Sequence, residues 1–454
     1  MIHTHRSETT AKDMTEGAIL PQLVLFTLPL LLGNIFQMLY NTVDTLVVGN
    51  YVSTQALAAV GSTTMVVNIA VFFFNGFSVG ASVVIGQEYG AKNLKVLHEA
   101  VETTIAMTLI AGVLFTAAGM LTVRPMLLLM ATPEDVMRDA TVYLQIYFAG
   151  ISGLLIYNMG SGILRAVGDS RRPLYFLILT SLLNIALDLF FVLKLGMGIG
   201  GVAIATILSQ FLSAALILLL LSRTKDIYRL SWRDLRLNRN IIRRIFRIGL
   251  PAAVSSIITS VSNVFVQSYV NFFGSDCMAG WSCYNKIDTF IYLPMSSMAT
   301  AATTFVSQNI GAGKTDRVEK GTFQAVGVTV ALTAGIAALI FFFAEEASAF
   351  FTPSREVISY SALFLRTNVF FLLFNSVCHV LAGALRGRGD SRAPMFCMLG
   401  TFVAARQVYL FVMSRFISNT PRAIGFSYPV GWMLCFAAEV TYYLIRYRKK
   451  QNQA

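Results

Sequence analysis

One stretch of this chain occurs twice. Gly162-Ile-Leu-Arg165-Ala-Val-Gly168-Asp169-Ser170-Arg171-Arg172-Pro173 returns 221 residues later as Gly383-Ala-Leu-Arg386-Gly-Arg-Gly389-Asp390-Ser391-Arg392-Ala393-Pro394. Ile85-Gly-Gln87 followed by Gly90-Ala91 keeps the same shift, returning as Val306-Ser-Gln308 followed by Gly311-Ala312. Thr132-Pro133 reappears as Thr352-Pro353 and Leu28-Pro29 as Leu250-Pro251, each within one residue of that offset. Anchors recurring in one order make chance similarity a poor explanation, and an internal repeat constrains architecture before any local prediction does. The chain reads as two homologous halves, 1–225 and 226–454, joined by a basic loop of about 222–243.

What each half is made of follows from its apolar runs. Hydrophobic residues make up 56% of the chain and charged residues only 13%, against about 25% charged in soluble domains. Runs long enough to cross a bilayer recur throughout. Spans are expected at about 20–44, 57–80, 100–123, 138–160, 173–195 and 199–221 in the first half. The second half gives about 244–270, 279–305, 322–344, 358–382, 394–416 and 423–446. The expectation is an all-α polytopic membrane protein with twelve transmembrane helices in two pseudo-symmetric six-helix bundles. Six is even, so both halves cross in the same direction and the repeat is parallel. The first apolar run follows a polar N-terminal segment and lacks a small-residue cleavage site, so it reads as a retained helix.

Most of the 35 Lys and Arg fall in the N-terminal segment, the even-numbered loops and the C-terminal tail, which predicts that both termini are cytoplasmic. The net charge of +12 is therefore a topology signal and not a nucleic-acid footprint. The Arg-rich loop from Ser222 to Asn240 is expected on anionic headgroups. The Gly-Asp-Ser-Arg copies fall in cytoplasmic loops. There glycine permits a tight turn, Asp and Ser close it, and Pro suits the next helix's first turn. A phosphate-cradling role is the sharper alternative, but no Gly-x-x-x-x-Gly-Lys-Ser/Thr pattern accompanies it.

Ionisable residues within spans are costly, so each is a functional candidate: Asp44, Asp188, Lys286, Asp288, Arg366, His379, Arg406 and Glu439. Asn184 and Asp188 are four apart and share a helix face. Asp188 is expected about 10 Å from the outer end of its span, at a depth similar to Asp44 and Thr206. Such oxygens suit a hard cation such as Na⁺; two close carboxylates in a low dielectric would instead hold a proton. The 221 shift carries Asp44, Asn184, Asp188 and Thr206 onto Phe265, Ala405, Tyr409 and Ser427, so the fold is duplicated while the acids are not. That asymmetry favours function over architecture.

Lys286 and Asp288 are two apart and do not face each other; they either pair elsewhere or line a cavity. Arg366 and Arg406 lie mid-span and must face the interior or water, as packing counter-ions or as substrate contacts. Glu439 is expected to pair with one of them or to reach the cytoplasm beside Arg446. His379 reads as a satisfied helix-end residue. The five cysteines, Cys277, Cys283, Cys378, Cys397 and Cys435, form no Cys-x-x-Cys pair, so neither a disulfide scaffold nor a metal cluster is expected.

Taken together, Leu28-Pro29, Gln37, Asn41, Asp44, the Gly-Gln-x-x-Gly-Ala segment and the Arg-x-x-Gly-Asp-Ser-Arg copies resemble the MATE (multidrug and toxic compound extrusion) transporters over essentially the whole chain. The resemblance implies two six-helix lobes around a central cleft in a bacterial cytoplasmic membrane, working as a monomer. It also implies export of organic, mostly cationic amphipathic compounds against an inward H⁺ or Na⁺ gradient, with no cofactor. Asp44, Asn184, Asp188 and Thr206 match the N-lobe cation site of the DinF-like and MepA-like branch. The acids of NorM-type C-lobes in spans 7 and 10 are missing here. Gln37, Asn41, Lys286, Asp288, Arg366 and Arg406 are the candidates for the substrate cleft. The rival reading is a flippase for a lipid-linked precursor, whose phosphate head would suit unpaired Arg366 and Arg406. An intramembrane enzyme is not expected: His-Glu-x-x-His and Asp-Asp-x-x-Asp are both missing.

Overall fold

The structure, a computed structural model, describes residues 13–448. It is all-helical. The first six long helices are α1 (Ile19–Tyr51), α2 (Gln55–Gly90), α3 (Leu94–Leu129), α4 (Glu134–Ala166), α5 (Arg171–Lys194) and α6 (Gly198–Arg223). The second six are α7 (Arg239–Asn271), α8 (Ser275–Gly311), α9 (Thr315–Phe342), α10 (Arg355–Gly387), α11 (Arg392–Ile417) and α12 (Pro421–Tyr447). A short helix, Ala344–Ala349, precedes α10.

Among the described residues, eleven of these helices are long and apolar enough to cross a bilayer. The remaining one, α8, is continuous over 37 residues but carries Lys286, Asp288 and a polar stretch of Ser, Thr and Asn that lowers its hydropathy. Its length still suits a crossing. At 1.5 Å per residue such a helix extends about 55 Å, well beyond the roughly 30 Å hydrocarbon core. The extra turns explain why most helices overrun the spans expected from hydropathy alone.

The duplication is written into the helix boundaries. Gly90, Leu94, Glu134, Ala166 and Arg171 bound α2 to α5, and their 221-shifted counterparts Gly311, Thr315, Arg355, Gly387 and Arg392 bound α8 to α11. One packing contact repeats as well. A Cβ on Gly162 would lie 2.5 Å from Ser78 Oγ, and one on Gly383 would lie 2.3 Å from the Ala299 carbonyl oxygen. These are 221-shifted pairs. Glycine is needed at both because the two helix backbones approach too closely for a side chain.

The Gly-Asp-Ser-Arg copies form the turns before α5 and α11. Gly168 and Gly389 take φ of 86° and 85°, a region that glycine enters without strain. Asp169 Oδ1 accepts from the backbone N–H groups of Arg171 and Arg172, both at 3.1 Å, and Asp390 Oδ1 accepts from that of Ala393 at 3.4 Å. Both carboxylates therefore cap the helix that follows. Burial raises the Asp169 carboxyl above its ordinary range, even beside Arg172.

By internal contacts the chain forms two compact units. One comprises Asp13, Met14 and Leu28–Leu250; the other comprises Thr15–Thr27 and Pro251 onward. The first turns of α1 thus belong with the second unit and those of α7 with the first. The switch falls at the repeated Leu-Pro pair, where proline removes a helix hydrogen bond.

In the first unit, Gly80 meets the Ile245 carbonyl and Gly249 with no room for a Cβ. Arg244 also pairs with Glu88 at 2.6 Å. Ile105, Leu144, Ile151 and Ile163 are fully buried between α3 and α4. Part of the basic loop packs on this unit through partners on α3, while Arg223, Lys225, Arg229 and Arg233 stay exposed. Arg236 pairs with Glu99 at 2.8 Å, Asn238 donates to Glu99 at 2.8 Å, and Tyr228 is fully buried.

In the second unit, Thr27 donates to Met298 Sδ at 3.5 Å, and Arg317 donates to the Gly17 carbonyl at 2.7 Å. Its core is aromatic. Trp281 stacks edge-on against Phe364 at 4.8 Å and Tyr428 at 5.4 Å.

Candidate functional site

Three helices of the first unit bring the sequence-selected polar residues together. Asp44 comes from α1, Asn184 and Asp188 from α5, and Thr206 from α6. The four-residue spacing of Asn184 and Asp188 puts both on the inward face, where they are 1% and 0% exposed. With its amide turned to satisfy both neighbours, Asn184 donates to Asp44 Oδ1 at 3.0 Å and accepts from the Thr206 N–H at 3.3 Å. Thr206 Oγ1 donates to the Val202 carbonyl at 3.0 Å, which leaves its lone pairs available.

Asp44 and Asp188 are close enough to share a hydrogen bond when one of them carries a proton. Neither oxygen of Asp188 has a donor among the described residues. A carboxylate without donors is poorly stabilised inside a protein. Just past Asp188, α5 loosens into a π-helical turn at Phe190–Lys194, a feature frequent at functional sites.

Several neighbours escaped the sequence reading. Tyr40 and Tyr143 lie within electrostatic reach of both acids, and Tyr143 stacks on Tyr147 with centroids 6.4 Å apart. The spacing of Tyr143 and Tyr147 on α4 was the available signal. Beyond Asn184 and Thr206 a cavity of about 60 Å³ continues, lined by Gln37, Thr180, Ser209, Gln210 and Ser213 among others. Hydroxyl and amide side chains share its lining with a larger apolar surface, and it has room for water. Gln37 lines this cavity although it is exposed, as Asn41 is.

The remaining candidates lie apart, in the second unit. Lys286 is exposed, with its ammonium 5.7 Å from the Phe351 ring centroid. Asp288 is half-buried and its Oδ1 has no hydrogen-bond partner. Arg366 pairs with Glu345 of the short helix at 2.9 Å, because that helix folds back beside α10. Arg406 is 2% exposed and is held by the neutral groups of Asn263 and Ser262 of α7, with no partner for its Nε among the described residues. Glu439 neither pairs with these arginines nor reaches the surface. It is 0% exposed and has Arg386 as its nearest cationic influence. His379 stands edge-on to Tyr292 at 5.0 Å, half-buried within α10.

Comparison with known proteins gives this arrangement its setting. The MatE family profile matches residues 29–190 and again 251–408, one match in each half. The chain is 27% identical to the "Probable multidrug resistance protein YoeA" of Bacillus subtilis (strain 168), over 99% of both chains. It is 29% identical to "Probable multidrug resistance protein YpnP" of the same organism, over 95% of this chain and 96% of that one. A solved structure described as the outward-facing conformation of a multidrug resistance MATE family transporter superposes with a TM-score of 0.92. It shares 24% identity, over 98% of this chain and 99% of that one. The profile covers both halves and the fold agrees along the full length: the chain is a multi-pass membrane protein of the MatE transporter family.

Proposed function

We propose that the protein is a proton-coupled antiporter that exports organic, mostly cationic amphipathic compounds, with Asp44 and Asp188 as the coupling pair. The observation that carries this reading is that Asp188, 0% exposed and with no donor to either oxygen among the described residues, lies within hydrogen-bonding reach of Asp44. A hard cation needs several converging oxygens. A proton needs only two carboxylates close enough to share it. The substrate class rests on the relatives YoeA and YpnP, which are described as probable multidrug resistance proteins.

Transport then proceeds by alternating access. Open to the outside, the pair takes up protons, loses its negative charge and favours drug release. Open to the cytoplasm, where both termini are taken to lie, it gives up the protons and favours the cationic substrate. Coupling requires that proton and drug prefer different states, since equal preference shifts nothing. Asn41, Lys286 and Asp288 are the candidates for substrate contact, each with a polar group not committed to an ion pair. The lipid-flippase reading loses part of its support because Arg366 is ion-paired with Glu345.

The test is uptake of a fluorescent organic cation into proteoliposomes under a pH gradient or a Na⁺ gradient, with Asp188→Asn as control. Accumulation driven by the pH gradient and lost in the variant supports the proposal. Accumulation driven by Na⁺ alone transfers the site to Na⁺. Accumulation under neither, from intact protein, sinks the antiporter reading.

A further inference from the structure

The second unit holds a cluster that antiport through Asp44 and Asp188 does not use. Cys378 on α10 and Cys435 with Glu439 on α12 bring two thiols and a carboxylate together, with one ligand atom from each within 4.8 Å of the others. Cys435 and Glu439 are four residues apart and share a helix face. All three are 0% exposed. Both Glu439 oxygens lack a hydrogen-bond partner among the described residues, while Cys378 Sγ contacts the Trp432 carbonyl at 3.8 Å and lies within hydrogen-bonding reach of Cys435. A buried carboxyl with no partner is unfavourable unless something else satisfies it.

We propose that Cys378, Cys435 and Glu439 form a binding site for a soft d¹⁰ divalent cation of the Zn²⁺ or Cd²⁺ class. Three features support this. Two sulfurs and one carboxylate oxygen are a ligand set that such ions accept. Ligand atoms on one zinc at about 2.0–2.3 Å lie roughly 3.5–3.8 Å apart, so the observed trio closes by small side-chain rotations. The charges also balance, since two thiolates, one carboxylate, a divalent ion and nearby Arg386 sum to zero. Arg386 is within electrostatic reach of Glu439. Binding forms two metal–sulfur bonds and releases the two thiol protons to solvent. The bound ion ties α10 to α12 inside the unit and leaves the first-unit acids untouched.

The test is Cd²⁺ titration of the full-length, reduced, metal-free protein in detergent. Three readouts are followed: the ultraviolet thiolate-to-cadmium charge-transfer band, proton release and the thermal unfolding midpoint. Saturation at one ion per chain is expected, with a raised midpoint. The band should be lost in the Cys378→Ser/Cys435→Ser variant and kept in Cys277→Ser/Cys283→Ser. Cys435→Ala is the second variant, in case the double serine substitution fails to fold. No band in the wild-type protein, or an undiminished band in either 378/435 variant, would overturn the assignment.

Discussion

Arg406 Nη2 lies 2.9 Å from Asn263 Oδ1, which joins α11 to α7 deep inside the second unit. The guanidinium also stands 4.8 Å from the centroid of the Tyr428 ring on α12. Shifted back by 221 residues, these three helices are α5, α1 and α6, the same junction where the first unit gathers Asp188, Asp44 and Thr206. One half therefore carries acids at this junction and the other a tethered cation. An always-charged guanidinium cannot exchange a proton in the working range, whereas a pair of carboxyl groups can.

Replacing Arg406 should destabilise the protein without redirecting the coupling. Arg406→Met leaves Asn263 Oδ1 short of a donor, while the Ser262 hydroxyl keeps the Gln407 amide, and is expected to cost about 1.5–3 kcal/mol. Arg406→Lys should recover little of this, because an ammonium has no flat face to stack on Tyr428 while it donates to both groups. Thermal unfolding in detergent measures the cost, and a lysine variant as stable as wild type would contradict the account.

The acids of the first unit should separate by role. Asp188→Asn removes the carboxylate that has no other donor and is expected to abolish gradient-driven transport. Asn184→Ala removes one hydrogen bond to Asp44, about 1.5–3 kcal/mol for a charged acceptor, and should slow transport about tenfold or more. Proteoliposome rates at fixed protein density check both, and equal rates for Asn184→Ala and wild type would exclude the amide from the site.

Glycine at the repeated helix crossing should tolerate nothing larger. Gly383→Ala places a Cβ 2.3 Å from the Ala299 carbonyl oxygen and is expected to cost about 1–3 kcal/mol by overpacking. Gly327→Ala meets nothing within 4 Å and should be neutral or stabilising by up to about 1 kcal/mol. The difference between the two unfolding midpoints is the readout. Similar midpoints would mean that the crossing relaxes.

Asp169 offers a test of capping apart from charge. Asp169→Ala loses both backbone acceptances at the start of α5 and should cost about 1 kcal/mol. Asp169→Asn keeps an acceptor oxygen and should cost less. Because burial raises this carboxyl in the folded state, its ionisation works against folding as pH rises. The wild type should accordingly lose stability relative to Asp169→Asn as pH rises from about 4, the ordinary aspartate value. Unfolding curves across that range, identical for both proteins, would refute the burial effect.

The sequence by itself determined what depends on periodicity and local chemistry. The 221-residue shift, the long apolar runs and the turn chemistry of Gly168-Asp169 and Gly389-Asp390 were all legible, since each is set within a few turns of helix or by direct repetition. Asn184 and Asp188 were legible as a pair because four residues make one helix face. The tertiary structure decided which faces meet. Only it brings Asp44 against Asp188 across 144 positions of chain, turns Asn184 towards an acid, and hands the first turns of α1 and α7 to opposite units. Only it gives Arg366 a partner in Glu345, and gathers Cys378, Cys435 and Glu439 from segments with no shared motif. The physical reason is that side-chain partnership between helices depends on their rotation and crossing, and hydropathy along a chain with apolar faces all round records neither.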